Sequence, residues 1–125
     1  MHKYDPEQTP DAAEWLSLDE QERIELAEAY HRKARVEVPR IKIHAVIHAV
    51  VENQIAEGHD PVIRAMSRLR AAGLSRHEAL HAVGSVLAEH LFTLPRDGSP
   101  SPGTPPMAAY DAAIERLTAE SWLRG

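Results

Sequence analysis

Apolar residues recur three and four positions apart along most of the chain, which is the spacing of amphipathic helices. This pattern predicts an all-α protein, a small helical bundle of four to five helices with a Pro-rich linker before the C-terminal helix. The predicted helices cover residues 17–36, 39–57, 61–72, 75–94 and 107–122.

Local signals mark several of the predicted helix ends. Ser17 opens the first helix and Ser75 the fourth, each followed three residues later by a glutamate, as in a capping box. Gly58 and Gly73 follow the second and third helices, where glycine commonly ends a helix. These signals place the turns between the predicted helices.

Two stretches lack helical periodicity and divide the chain. Residues 1–16 contain two prolines and several acids, and we expect an irregular arm with a short helical turn, docked by Trp15 and Leu16. Residues 95–106 contain five prolines and predict an extended linker. Residues 17–94 then form the main helical domain. Residues 107–125 form a C-terminal docking helix, which either folds back onto the bundle or docks onto a second copy as a homodimer.

The 39–57 helix is the most apolar segment, which is typical of a helix buried at the centre of a bundle. Its polar exceptions are therefore informative. His44, His48 and Glu52 stand four residues apart and form one slanting stripe on that helix. The flanking Ala45 and Ala49 are small enough to let another helix approach closely.

A second histidine pair, His77 and His81, belongs to the pattern His-Glu-x-x-His on the 75–94 helix. We expect the 39–57 and 75–94 helices to pack antiparallel, with their histidines meeting at one metal ion. The expected metal ligands are His44, His48, His77, His81 and Glu52, the last as ligand or as an acid beside the metal. If three histidines bind, water takes the fourth position and Glu78 is placed as general base. Otherwise Glu78 caps its helix.

The amino-acid composition limits the metal ligands and the partners that the chain can use. The chain has eight histidines and no cysteine, which excludes disulfides and thiolate zinc sites and leaves nitrogen and oxygen ligands. We expect zinc first, with iron or manganese as the alternative. The net charge of -5 argues against nucleic acid or an anionic membrane as partner. No run is long and apolar enough for a membrane span, and the start does not look like a signal peptide, so we expect a bacterial cytoplasmic protein.

Two resemblances rest on these motifs. The run from His77 to His81 resembles the HExxH motif of zinc metallopeptidases, with Gly84 in step but Leu87 where the extended pattern has a third histidine. The region of about fifty residues that carries both histidine motifs resembles the bacterial family called domain of unknown function 1841. That resemblance implies a small bacterial helical protein and brings no established activity.

Three hypotheses follow for this chain. The first is a metal-dependent hydrolase of unknown substrate, which needs an open coordination position and a Glu78 that is not capping. The second is a structural or sensing metal protein with a closed histidine site. The third is a metal-free interaction module or dimerisation protein. The remaining histidines are expected outside the site, His31 and His90 at the surface and His59 in a loop.

Overall fold

The fold is all-α, as predicted. The computed structural model describes residues 1, 3–33, 41–92 and 106–124, and these contain seven helices and no strand. The helices are α1 Ala12–Ser17, α2 Glu20–Lys33, α3 Ile41–Ala56, α4 Asp60–Ala71, α5 Arg76–Phe92, α6 Pro106–Arg116 and α7 Ala119–Leu123. The predicted count of four to five is therefore too low, because the N-terminal arm contains a helix and the C-terminal helix is broken in two. None of the described helices is long and apolar enough to cross a membrane.

The chain divides into two compact units, Met1–His59 and Asp60–Gly125. In the first unit α1 and α2 both pack against α3. Trp15 is fully buried there, and its indole Nε1 donates to Asn53 Oδ1 at 2.9 Å. Leu16, which was expected to dock beside it, is 36% exposed. Of the two residues expected to dock the arm, Trp15 is buried and Leu16 is not.

The predicted N-cap of α2 is wrong. Ser17 is the last residue of α1, and its hydroxyl donates to the Glu14 carbonyl. Asp19 takes the capping role instead, since its Oδ1 accepts from Glu22 N at 2.8 Å. Aspartate caps helices as well as serine does, and α1 already holds Ser17 in helical conformation. The predicted end of this helix, near residue 36, lies outside the described residues.

Helix α3 ends as predicted at Gly58, whose φ of 74° is the left-handed conformation that favours glycine. The His59 N–H donates to the Gln54 carbonyl at 2.9 Å and the Gly58 N–H to that of Ile55 at 3.0 Å, which is a Schellman motif. The predicted start at residue 39 lies outside the described residues. Ile43 is 37% exposed, so the helix is not buried on all sides as its composition predicted.

In the second unit, α4 buries the four residues that its periodicity predicted, which are Val62, Ala65, Met66 and Leu69. Gly73 ends this helix with a φ of 102°, also as predicted. Helix α5 begins with the predicted capping box, in which Ser75 N donates to Glu78 Oε1 and Glu78 N donates to Ser75 Oγ, both at 3.1 Å. Along its apolar stripe Leu87 is buried, whereas Leu91 is 47% exposed.

The predicted C-terminal helix is two helices. Thr118 interrupts it and opens α7 through a capping box with Ser121. The guanidinium of Arg68 donates to the carbonyls of Ile114 and Leu117, at 2.9 Å and 2.7 Å from Nη2, and so satisfies carbonyls at the end of α6. Helix α6 packs against α4 and α5 of the same chain. Most of the predicted linker, up to residue 105, lies outside the described residues.

Candidate metal centre

Three histidine rings lie together in the first unit. The ring centroids of His31 and His44 are 4.5 Å apart, those of His31 and His48 4.7 Å, and those of His44 and His48 4.8 Å. Each ring offers a nitrogen that lies within 4.8 Å of those of the other two. Tetrahedral zinc holds two imidazole nitrogens roughly 3.3 Å apart. The ring nitrogens are therefore at most about 1.5 Å farther apart than in a tetrahedral zinc site.

Two helices position these rings. His44 and His48 stand one turn apart on α3, and His31 faces them from the last turns of α2. Ala27 on α2 and Ala45 and Ala49 on α3 are fully buried, so the two helices approach each other over small side chains. Ala45 and Ala49 were expected to admit the 75–94 helix, and in the first unit they pack with Ala27 of α2. The imidazoles then fill the space beside them.

The position of His31 differs from the prediction, which placed this residue at the surface. It is fully buried. Ile24, Ala27 and His31 stand at i, i+3 and i+7, the face of α2 that packs inward, and that spacing was the available signal. The Nδ1 of His31 lies 2.7 Å from the Ala27 carbonyl oxygen. Because a carbonyl oxygen only accepts, Nδ1 carries the proton and the buried Nε2 holds the lone pair of the neutral ring.

Glu52 and Tyr4 adjoin the histidines. Glu52 is 1% exposed, and its Oε2 accepts a hydrogen bond of 2.5 Å from the Tyr4 hydroxyl. The same hydroxyl lies 3.3 Å from His48 Nδ1. Tyr4 was missed by the sequence analysis, because it lies in an arm without periodicity that would mark a buried position. Of the two roles predicted for Glu52, ligand or neighbouring acid, these contacts favour the second.

Tyr30 packs beside this group. Its ring is 5.3 Å from that of His31 and 6.3 Å from that of Tyr4, both edge to face. Burial, followed by the negative charges of Asp5 and Glu7, raises the pKa of Tyr30 above its ordinary value. The phenol therefore stays protonated at neutral pH.

A small cavity adjoins the carboxylate of Glu52. Its volume is about 60 Å³, and its walls include Trp15 and Ile55. A cavity of this size has room for a few water molecules.

The second histidine pair lies in the second unit. The rings of His77 and His81 are 4.3 Å apart on α5, as their spacing predicted, and their Nε2 atoms are buried. Between them Glu78 is exposed and forms the capping box with Ser75. The capping interpretation of Glu78 is thus confirmed, and its role as general base stays a prediction. The four-histidine ligand set draws on both units and also stays a prediction.

Two further histidines of the described residues, His59 and His90, lie outside these groups. His59 lies in the turn between α3 and α4, as expected. His90 is partly buried, and its Nδ1 lies 3.0 Å from the Val86 carbonyl oxygen, the same bond that His31 makes to Ala27. His90 is therefore only partly exposed at the surface position expected for it.

No family model, curated protein or solved structure matches this chain.

Proposed function

We propose that this protein binds a divalent transition metal ion, zinc first, through His31, His44 and His48. The observation that carries this proposal is the close grouping of three imidazoles on two helices, two of them buried and that of His44 partly buried, each offering a nitrogen within 4.8 Å of the others. Metal ligation by histidine uses the neutral ring. In His31 the Ala27 carbonyl already fixes the tautomer in which the lone pair lies on Nε2.

The alternative is a metal-free core in which the three rings only pack together. Burying an imidazole removes its polar atoms from water, which costs free energy that an apolar residue of similar size does not. A cation held by all three rings would offset that cost through three coordinate bonds, which packing alone does not supply. The grouping is therefore better explained by metal binding than by packing.

The donor set narrows the choice of metal. Imidazole ligands suit zinc, copper, iron and nickel, whereas magnesium and calcium prefer oxygen. Iron or manganese is the alternative to zinc, as expected from the sequence. The buried carboxyl group of Glu52 is joined to His48 through Tyr4, and an oxygen acceptor at this position suits a histidine that binds a metal.

Binding is better supported than hydrolysis. A hydrolase would need a general base and an open cleft. The Glu78 carboxylate is engaged in capping α5, and the cavity beside Glu52 holds only a few waters. We therefore assign the protein a structural, sensing or carrier role for the metal. Membership of the domain of unknown function 1841 family and a homodimeric state stay predictions.

The test is the metal content of protein produced without a histidine tag. We expect close to one zinc ion per chain by elemental analysis after growth with added zinc. His44→Ala and His48→Ala should each abolish stoichiometric binding, whereas the control His59→Ala, in the turn after α3, should retain it. Wild-type protein that holds no metal and takes up none on titration would contradict the proposal.

A further inference from the structure

We propose that Glu52 and Tyr4 act as positioning residues that orient His48 for metal binding, an inference that rests on the proposed metal function. The three side chains form a hydrogen-bonded chain from carboxylate to hydroxyl to imidazole. All three are buried, with exposures of 1%, 4% and 3% for Glu52, Tyr4 and His48. They join the N-terminal arm to α3.

The direction of each bond follows from counting protons. A tyrosine hydroxyl has one hydrogen, and the 2.5 Å contact gives it to the Glu52 carboxylate, which only accepts when ionised. The Tyr4 oxygen then faces His48 Nδ1 at 3.3 Å with its lone pairs. His48 Nδ1 must therefore be the donor and carry the ring proton. The lone pair of the neutral ring is then on Nε2, the atom that would bind the metal.

Two histidines of the cluster have a hydrogen-bond partner that fixes the ring proton on Nδ1. The Ala27 carbonyl fixes the proton of His31 on Nδ1, and the Tyr4 hydroxyl fixes that of His48 on Nδ1. Metal-binding histidines commonly donate their second nitrogen to a carboxylate or a carbonyl in this way. Here the carboxylate acts through an intervening phenol. The partial negative charge that Glu52 induces on the Tyr4 oxygen strengthens the bond from His48 and makes its Nε2 a better ligand.

The geometry separates this role from direct ligation by Glu52. Among the described residues, Glu52 is not one of the side chains whose ligand atoms lie within 4.8 Å of one another. Its Oε2 is held by Tyr4 instead. Loss of such an outer partner typically weakens metal binding about 10-fold to 100-fold without removing the site.

Tyr4→Phe tests the inference, because it deletes the hydroxyl and keeps the ring. We expect one zinc ion per chain still to bind, with an affinity about 10-fold to 100-fold lower in competition with a chromophoric chelator. Tyr30→Phe is the matched control, since it removes a neighbouring hydroxyl outside the chain from Glu52 to His48. Its affinity should stay within about threefold of the wild type.

A second readout is independent of metal. Long-range ¹H–¹⁵N correlation spectra of the metal-free protein report which nitrogen of His48 carries the proton. We expect the Nδ1–H tautomer in the wild type and in Tyr30→Phe, and a mixture of tautomers in Tyr4→Phe. A purely structural role for Tyr4 would leave this signature unchanged.

Glu52→Gln separates charge from geometry and keeps the inference testable if Tyr4→Phe does not fold. The amide oxygen still accepts from Tyr4, so the tautomer of His48 should be retained while affinity falls severalfold. Wild-type affinity in both variants, with binding abolished by His48→Ala, would overturn the inference and leave the metal site intact. A wild-type protein that binds no metal would overturn the proposed function instead.

Discussion

Replacement of His31 by leucine gives the sharpest test of the histidine cluster, because this ring was expected at the surface and is fully buried. Leucine fills a similar volume and removes both ring nitrogens. The lost hydrogen bond to Ala27 contributes about 1 kcal/mol, and the added apolar burial offsets a similar amount. We therefore expect the metal-free variant to unfold with a free energy within about 1 kcal/mol of the wild type.

The metal-dependent part of the stability should change much more. Zinc at 100 times its dissociation constant stabilises the wild type by about 2.7 kcal/mol. Loss of one of three nitrogen ligands should weaken binding at least about 100-fold, since the loss of an outer partner alone costs up to about that much. At the same zinc concentration the variant would then gain only about 0.4 kcal/mol.

The assay is guanidinium unfolding with and without zinc, followed by tryptophan fluorescence. Trp15 lies buried in the first unit and Trp122 lies in α7 of the second. A Trp122→Phe background therefore makes the signal specific for the unit that holds the cluster. The extrapolated free energies give the metal-dependent gain directly.

His90→Leu is the matched control. His90 bonds to the carbonyl four residues before it, as His31 does, but lies in the second unit outside the cluster. It should keep the full metal-dependent gain of about 2.7 kcal/mol. If His31→Leu keeps that gain as well, His31 is a packing residue and the three-histidine site is wrong.

Four further predictions concern other parts of the chain. Arg68→Met should destabilise the second unit by about 2 kcal/mol in urea, through loss of charged hydrogen bonds to the end of α6, with exposed Arg70→Met within about 0.5 kcal/mol. Gly58→Ala should cost about 1 kcal/mol by the same measurement, entirely from its positive φ, since an added Cβ meets nothing within 4 Å. Tyr30→Phe should remove from an ultraviolet pH titration the phenol whose pKa lies above 10. Because that pKa is raised on folding, its contribution to stability is complete below pH 10 and is lost as the pH rises through the folded pKa. His81→Ala tests the four-histidine prediction, which expects zinc affinity to fall at least about tenfold; unchanged affinity would refute it.

Helix ends were predictable where one local signal stood alone. Gly58 and Gly73 each adopt positive φ at the predicted position, and the Ser75 capping box forms as predicted. The prediction of where α2 starts was wrong because Ser17 and Asp19, two residues apart, are both residue types that cap helices well. Which of them acts depends on how far α1 extends, and that is decided by packing of Trp15 rather than by the cap itself.

The site was predictable only in part, for a similar reason. His44 and His48 were recognisable because they interrupt an apolar helix. His31 lies on a mostly polar helix, whose weak amphipathic pattern does not distinguish a buried histidine from an exposed one. Tyr4 reaches Glu52 across 48 positions of sequence, and no periodicity signals a contact of that kind. The tyrosine is identifiable only from the three-dimensional structure.

The sequence separations of the contacting residues predict the order in which the cluster assembles. His31 and His44 are 13 positions apart, whereas Tyr4 and Glu52 are 48 apart. Loop closure over the longer distance costs about 1 kcal/mol more in chain entropy. The rings of the proposed metal site can thus come together before the N-terminal arm packs, and an ion bound early would be held more tightly once Tyr4 contacts His48.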